Sequence, residues 1–184
     1  MGSTVYTQQQ LAFSKNCLFD ALLKLIQEKD FDKITVSELT QVAGVSRATF
    51  YRYYKTTTDV LLNFLDTWPM GFPADMTYED HTDYERVEMY YHYLAANKEL
   101  FTLLASDRFI AALRNYMERV FVDGVFTPII NKMGYRTRYE ISAFTGMVFN
   151  VTVDWIKGGM KEPLDDMIEE STKLITSFDF GYDD

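Results

Sequence analysis

The chain has 184 residues, 47% of them hydrophobic and 24% charged, which is typical of a folded globular protein and excludes an intrinsically disordered one. No apolar run approaches the roughly 20 residues of a membrane-spanning helix, and the amino-terminal residues lack the pattern of a signal peptide, so we expect a cytoplasmic protein without a membrane partner. The single Cys17 can form no intrachain disulfide, and the formal net charge of −9 argues against nucleic-acid binding by the chain as a whole.

The first predicted element is a helix over about residues 7–29. Thr7 and Gln10 have the spacing of a capping box at its start. The apolar residues that follow recur at helical spacing, which predicts one buried face, and they are Leu11, Leu18, Leu22, Leu25 and Ile26.

Two short helices separated by a glycine are predicted next. Thr35 can cap the first of them, with Glu38 completing a capping box, and Gly44 ends it because glycine enters the left-handed conformation at low cost. Ser46 can cap the second, which is expected to run from Arg47 to about Tyr54. Two helices this short around a glycine turn predict a helix-turn-helix.

A fourth helix is predicted from Thr56 through Leu65, and Asp59 completes another capping box at its start. The helix-turn-helix pair is too short to bury a core alone. The first and fourth helices must therefore close it into a bundle, and we expect an amino-terminal domain over residues 1–66.

The rest of the chain, residues 67–184, is expected to form a second, larger and entirely helical domain. Residues 66–82 contain two prolines and many polar residues and are interpreted as the connection. No alternating pattern persists long enough for a strand, so the fold class is all-α. The helices are predicted over about residues 83–97, 98–105, 107–132, 137–158 and 163–178, with Pro163 in the first turn of the last one.

The charges are distributed unevenly along the chain. Residues 1–59 carry a net charge of +1, so residues 60–184 carry −10. Residues 44–55 include Arg47, Arg52 and Lys55 and no acid. A basic tip on an acidic body is typical of a DNA-binding head, although a random fluctuation of surface charge would give the same pattern.

The segment TVSELTQVAGVSRATFYRYYKTTTDVL, residues 35–61, resembles the signature of the tetracycline-repressor (TetR) family of transcriptional regulators. Three of its parts match in order and spacing, namely Ala43-Gly44-Val45-Ser46, Thr49-Phe50-Tyr51 and Tyr53-Tyr54-Lys55. The resemblance covers about residues 8–66. Asp30 replaces a usual glycine, which changes little because Asp tolerates the left-handed conformation, and Thr57 replaces a usual lysine that contacts a DNA phosphate.

The resemblance implies a dimer that binds double-stranded DNA at a palindromic operator. It places Arg47, Ala48, Thr49 and Ser37 against base edges, and Arg52 against a base or a phosphate. Phe50 and Tyr54 are expected in the core. The residues expected at phosphates are Thr35, Ser46, Tyr51, Tyr53, Lys55 and Thr57, although Tyr51 could instead be a buried ring.

The resemblance also implies a carboxy-terminal domain that binds an effector and forms the dimer. Residues 97–101, Asn-Lys-Glu-Leu-Phe, resemble a segment common in members from Gram-positive bacteria. Candidates for an effector pocket are Tyr90, Tyr93, Phe101, Phe109, Tyr116, Phe144 and Trp155. Candidates for the dimer interface on the last two helices are Val148, Thr152, Trp155, Leu164, Met167, Ile168, Leu174 and Ile175. The alternative for both sets is that they simply fill the intrachain core.

No catalytic motif is found. The two histidines, His81 and His92, lack metal-ligand spacing, and no phosphate-binding loop or nucleophile elbow occurs, so we expect neither a metal nor a cofactor. The sequence predicts a ligand-responsive repressor. The alternatives are an activator or coactivator of the same fold that acts through a protein partner and, more remotely, an enzyme built on a helical bundle.

Overall fold

The computed structural model describes residues 2–67, 81–122, 126–134 and 137–177 and divides the chain into two compact units, Met1–Trp68 and Pro69–Asp184. The fold is all-α: the described residues contain α-helices, one 3₁₀ helix and no strand. None of these helices is long and apolar enough to cross a membrane. Most of the expected connection over residues 66–82 lies outside the described residues.

The first unit is a small bundle around the helix-turn-helix. Its α-helices are α1 Gly2–Glu28, α2 Val36–Ala43, α3 Arg47–Tyr53 and α4 Thr57–Thr67, and a 3₁₀ helix spans Phe31–Lys33. Helix α1 packs against both α2 and α4, which supplies the closure that the short pair requires. The centre of the bundle consists of fully buried side chains of Leu18, Leu22, Leu39, Phe50 and Leu61.

Two expectations for the first unit are wrong. Helix α1 begins at Gly2, so Thr7 lies inside the helix and not at its cap. Asp30 has φ −57° and ψ 135°, outside the left-handed region, so the conformational tolerance of Asp is not needed there. Its carboxylate instead accepts a hydrogen bond of 2.6 Å from Lys33 Nζ on the surface.

The second unit is a larger bundle with an aromatic core. Its helices are α5 Asp83–Ala96, α6 Lys98–Leu104, α7 Ile110–Val122, α8 Thr127–Lys132, α9 Arg138–Lys157 and α10 Leu164–Ser177. Helix α5 packs along α10, and α9 contacts α6, α7 and α10. The rings of Tyr90, Phe121 and Phe126 meet edge to face with centroids 5.1–5.7 Å apart, an arrangement that aromatic cores favour.

The helix expected over residues 107–132 is in fact two helices, α7 and α8. Pro128 lies in the first turn of α8, where its missing amide hydrogen is not needed. Within a continuous helix the same proline would remove a hydrogen bond and clash with the preceding turn. The last helix begins at Leu164, so Pro163 immediately precedes α10 and is not in its first turn.

Candidate nucleic-acid interface

The start of α2 is fixed by a cap and by an ion pair. Thr35 Oγ1 accepts a hydrogen bond of 3.2 Å from the Glu38 amide, as the capping pattern predicts. The Glu38 carboxylate forms an ion pair with Lys29 near the end of α1. The hydrogen bond from Lys29 within this pair is the main cause of the lowered pKa of Glu38. The expected reciprocal box at Thr35 is therefore replaced by a link between α1 and α2.

The turn between α2 and α3 depends on Gly44. Its φ of 64° and ψ of 25° lie in the left-handed region, which confirms the sequence prediction. Ser46 then caps α3: its Oγ accepts a hydrogen bond of 3.0 Å from the Thr49 amide and lies 2.9 Å from Thr49 Oγ1. These bonds fix the start of the expected recognition helix.

Helix α3 has one buried and one exposed face. Phe50 is fully buried and Tyr54 is 6% exposed, so both belong to the core as expected. Tyr51 is 52% exposed, which excludes the alternative of a buried ring. The Arg47 guanidinium carbon lies 6.0 Å from the centroid of the Tyr51 ring, a cation–π distance, so the two side chains share the exposed face.

The start of α4 carries the complete capping box that the sequence predicts. Thr56 Oγ1 accepts from the Asp59 amide at 3.2 Å, and Asp59 Oδ2 accepts from the Thr56 amide at 2.9 Å. The same oxygen accepts from the Lys55 amide at 2.8 Å, and these two backbone hydrogen bonds lower the pKa of Asp59. Thr57 is the first residue of α4 and is half-buried.

The predicted DNA-contact residues all retain accessible surface. Thr49, Tyr53 and Thr57 are half-buried, and the other eight are exposed, namely Thr35, Ser37, Ser46, Arg47, Ala48, Tyr51, Arg52 and Lys55. They lie on α2, on α3, at the first residue of α4 and in the turns beside these helices. A surface of this kind offers hydroxyls and cations to phosphates and a guanidinium to bases. Their individual contacts with DNA remain predictions.

Sequence reasoning missed two supporting residues of this head. Lys29 holds Glu38, and Asn63 Oδ1 on α4 accepts a hydrogen bond of 2.8 Å from the Tyr54 hydroxyl at the end of α3. Burial raises the pKa of Tyr54, which keeps this hydroxyl a donor. Each pair is nine residues apart, so no local sequence pattern signals it.

The aromatic residues predicted to form an effector pocket lie in the core of the second unit. Tyr93 is half-buried, and the other six are buried, namely Tyr90, Phe101, Phe109, Tyr116, Phe144 and Trp155. A cleft beside Tyr90 and Tyr91, between α5, α9 and α10, has a volume of only about 10 Å³. A single water needs about 10–15 Å³, so this cleft is essentially closed.

Two buried hydrogen bonds cross this closed cleft region. The Tyr90 and Thr152 hydroxyls are 2.9 Å apart, and the Tyr91 and Ser171 hydroxyls are 2.7 Å apart, which ties α5 to α9 and α10. Burial raises the pKa of both tyrosines and keeps them neutral. Trp155 Nε1, in contrast, is buried without a hydrogen-bond partner in the described parts of the chain.

The residues predicted at a dimer interface divide into two groups. Five are buried within the unit, namely Val148, Thr152, Trp155, Ile168 and Ile175. Three remain accessible: Leu164 and Met167 are half-buried, and Leu174 is 42% exposed. Any surface that α9 and α10 present to a second copy therefore includes only these three of the expected residues.

Among the described residues no group of three metal-ligating side chains occurs.

An exposed helix-turn-helix with a basic recognition helix, followed by a separate all-helical unit, defines a DNA-binding transcriptional regulator. Residues 18–63 match the family model described as "Bacterial regulatory proteins, tetR family". Residues 84–177, half of the chain, match the model of a "Transcriptional regulator C-terminal region". The chain belongs to the TetR family of transcriptional regulators.

Solved structures share this fold at low sequence identity. The "Dihydroxyacetone kinase operon activator DhaS" is 19% identical, with a TM-score of 0.60 over 89% of this chain and 94% of that one. A TetR regulator from Streptococcus agalactiae 2603V is 18% identical, with a TM-score of 0.58 over 94% and 98%. The fatty acid degradation regulator FadR from Bacillus halodurans is 19% identical, with a TM-score of 0.52 over 91% and 99%. No curated protein matches the sequence.

Proposed function

We propose that this TetR-family regulator is a homodimeric repressor that binds a near-palindromic operator through α3 and is released by a small, largely apolar effector. The observation that carries the proposal is the exposed face of α3, where Arg47 and Tyr51 project together next to the start of α3 that Ser46 caps. An arginine fork pairs with guanine O6 and N7, and neighbouring hydroxyls suit phosphates.

The length of α3 supports the dimer. With seven residues it spans about two turns and reaches few base pairs, so one copy specifies too short a site. Two copies related by a twofold axis read two half-sites, and the accessible Leu164, Met167 and Leu174 provide apolar surface on α10 for pairing.

The operator and the oligomeric state can be tested together. Genomic fragments selected by the purified protein are expected to share inverted half-sites about one helical turn, ~34–36 Å, apart. Sedimentation should show a dimer at micromolar concentration, both free and on that DNA. A monomer that binds the selected site tightly on its own would contradict the proposal.

The effector is proposed to bind in the second unit. The buried Trp155 Nε1 supports this, because a buried donor without an acceptor costs about 1–3 kcal/mol that a ligand oxygen could recover. The cleft beside Tyr90 and Tyr91 is closed, so binding there requires α10 to move away from α5. Such a movement would shift the dimer toward a geometry that fits DNA less well.

Reciprocal coupling tests the effector. A ligand that lowers operator affinity by some factor must itself bind more weakly by the same factor when operator is present. We expect calorimetric titrations with and without operator to show this difference for any compound that stabilises the second unit against heat. Equal affinities in the two titrations would contradict release by an effector.

An activator is the second candidate. The closed cleft favours it, because a regulator controlled by a protein partner needs no preformed pocket. One structure that shares this fold is described as an operon activator. Deleting the gene should raise transcription from the selected operator if the protein is a repressor and lower it if the protein is an activator.

A further inference from the structure

A hydrogen bond between two side chains joins the end of the recognition helix to α4. Tyr54 follows the last residue of α3, and its hydroxyl donates to Asn63 Oδ1 at 2.8 Å. Tyr54 is buried and Asn63 is half-buried, so water competes weakly for this bond. The backbone of Tyr54 is held as well, because its amide donates to the Phe50 carbonyl at 2.9 Å. The hydroxyl is therefore firmly attached to α3.

Close packing does not by itself fix α3 against α4. Helix α3 packs more extensively against α2 than against α4. A groove of about 260 Å³ adjoins Tyr54 and Asn63, so packing atoms are missing on one side of this pair. Asp59 accepts hydrogen bonds from the amides of Lys55 and Thr56, which fixes the turn between the two helices. The angle between helices is set by contacts of their side chains, and the directional Tyr54–Asn63 bond is such a contact.

The angle of α3 decides where Arg47 lies. Arg47 is the first residue of α3 and Tyr54 follows its last, so the two are about 10 Å apart along the helix axis. A rotation of α3 by about 10° around Tyr54 would displace the start of the helix by roughly 2 Å. Specific contacts require side chains to be placed within about 0.5 Å, so even this small rotation would disrupt a bidentate contact with a base.

We propose that Asn63 is a positioning residue for the reading of bases. Through the Tyr54 hydroxyl it fixes the angle between α3 and α4, and it thereby holds Arg47 at the base edges. Asn63 itself contacts no DNA in this proposal. The inference rests on the proposed function and deepens it, because it adds a residue outside the DNA-contacting surface that determines specificity.

Two substitutions in the full-length protein remove this hydrogen bond and keep the size of each side chain, namely Tyr54→Phe and Asn63→Leu. The affinities for the selected operator and for a scrambled sequence are measured at one salt concentration. We expect the ratio of these affinities to fall by about tenfold in each variant, since both heads of a dimer lose the bond. The double variant should fall no further than either single variant, because all three remove the same interaction.

Two controls separate positioning from stability. Asn63→Asp keeps an acceptor oxygen at the same place, so it should retain the affinity ratio of the unaltered protein, although its charge weakens both DNAs alike. Leu61 is fully buried on α4, and Leu61→Val removes one buried methylene without touching either hydrogen-bonding partner. It should lower the stability to denaturant by an amount similar to Tyr54→Phe and leave the ratio unchanged.

The role of Asn63 would be overturned by an unchanged ratio in Tyr54→Phe and Asn63→Leu, by additive losses in the double variant, or by an equal loss in Leu61→Val. An equal loss in Asn63→Asp and Asn63→Leu would also overturn it, because the acceptor would then not matter. The unaltered protein distinguishes this failure from failure of the proposed function. If it binds operator and scrambled DNA equally, both proposals fall, whereas discrimination that survives in the variants removes only the positioning role.

Discussion

Phe50→Ala is expected to destabilise the first unit by about 3–5 kcal/mol, which is the usual cost of truncating a buried phenylalanine. Phe50 is fully buried in the middle of α3, and its ring lies 5.3 Å from that of Tyr51 and 5.8 Å from that of Tyr54. Domains of this size are stable by only about 5–15 kcal/mol, so much of the stability of the head would be lost. DNA affinity should fall with it, because α3 would lose its anchor.

Denaturant unfolding followed by circular dichroism measures this loss. Arg52→Ala is the matched control, since Arg52 lies on the exposed side of the same helix and should change the stability by no more than about 0.5 kcal/mol. If the two substitutions destabilised the protein equally, the packing of α3 through Phe50 would be wrong.

The helix starts in the first unit could be predicted because capping is a local property. Thr35, Ser46 and Thr56 each act within three residues along the chain, and each accepts the amide hydrogen bond that its spacing predicts. The left-handed turn at Gly44 is equally local. Bonds between distant residues could not be predicted, and the Lys29–Glu38 ion pair displaced a local bond that the sequence favoured.

The break between α7 and α8 shows that apolar spacing alone does not locate the end of a helix. Apolar spacing continues through residues 107–132, whereas Pro128 permits only the beginning of a new helix. Greater weight on this proline would have predicted two helices. The start of α1 shows the opposite case: Thr7 and Gln10 have the spacing of a capping box, whereas the uncharged segment before them continues the helix back to Gly2.

The roles of residues on α3 can be predicted from the sequence, whereas those of residues in the second unit cannot. On α3 the apolar and polar positions separate cleanly, so the amino-acid sequence alone indicates that Phe50 is buried and favours an exposed Tyr51. In the second unit, pocket, interface and core all use the same residue types. Thr152 and Trp155 were candidates for an interface, and both are buried within their own chain. Only tertiary packing distinguishes these roles.

Arg47→Ala is expected to reduce DNA specificity more than any other single change in the head. A bidentate contact of arginine with guanine contributes about 1–3 kcal/mol of discrimination, and a dimer would lose it in both half-sites. Affinity for the selected operator should therefore fall much more than affinity for a scrambled sequence. The preference should relax at one base pair in each half-site.

Tyr51→Phe provides the contrasting variant. It removes only the hydroxyl proposed to contact a phosphate, and it keeps the ring that lies 6.0 Å from the Arg47 guanidinium carbon, so the packing of Arg47 is preserved. Because phosphate contacts carry no base information directly, this variant should weaken operator and scrambled DNA by about the same factor. Affinities are to be measured for both variants on both DNAs at one fixed salt concentration, since salt alone changes them strongly. Equal weakening of the two DNAs by Arg47→Ala would show that Arg47 reads no base, and the proposed role of the exposed α3 face would then have to be assigned to other residues.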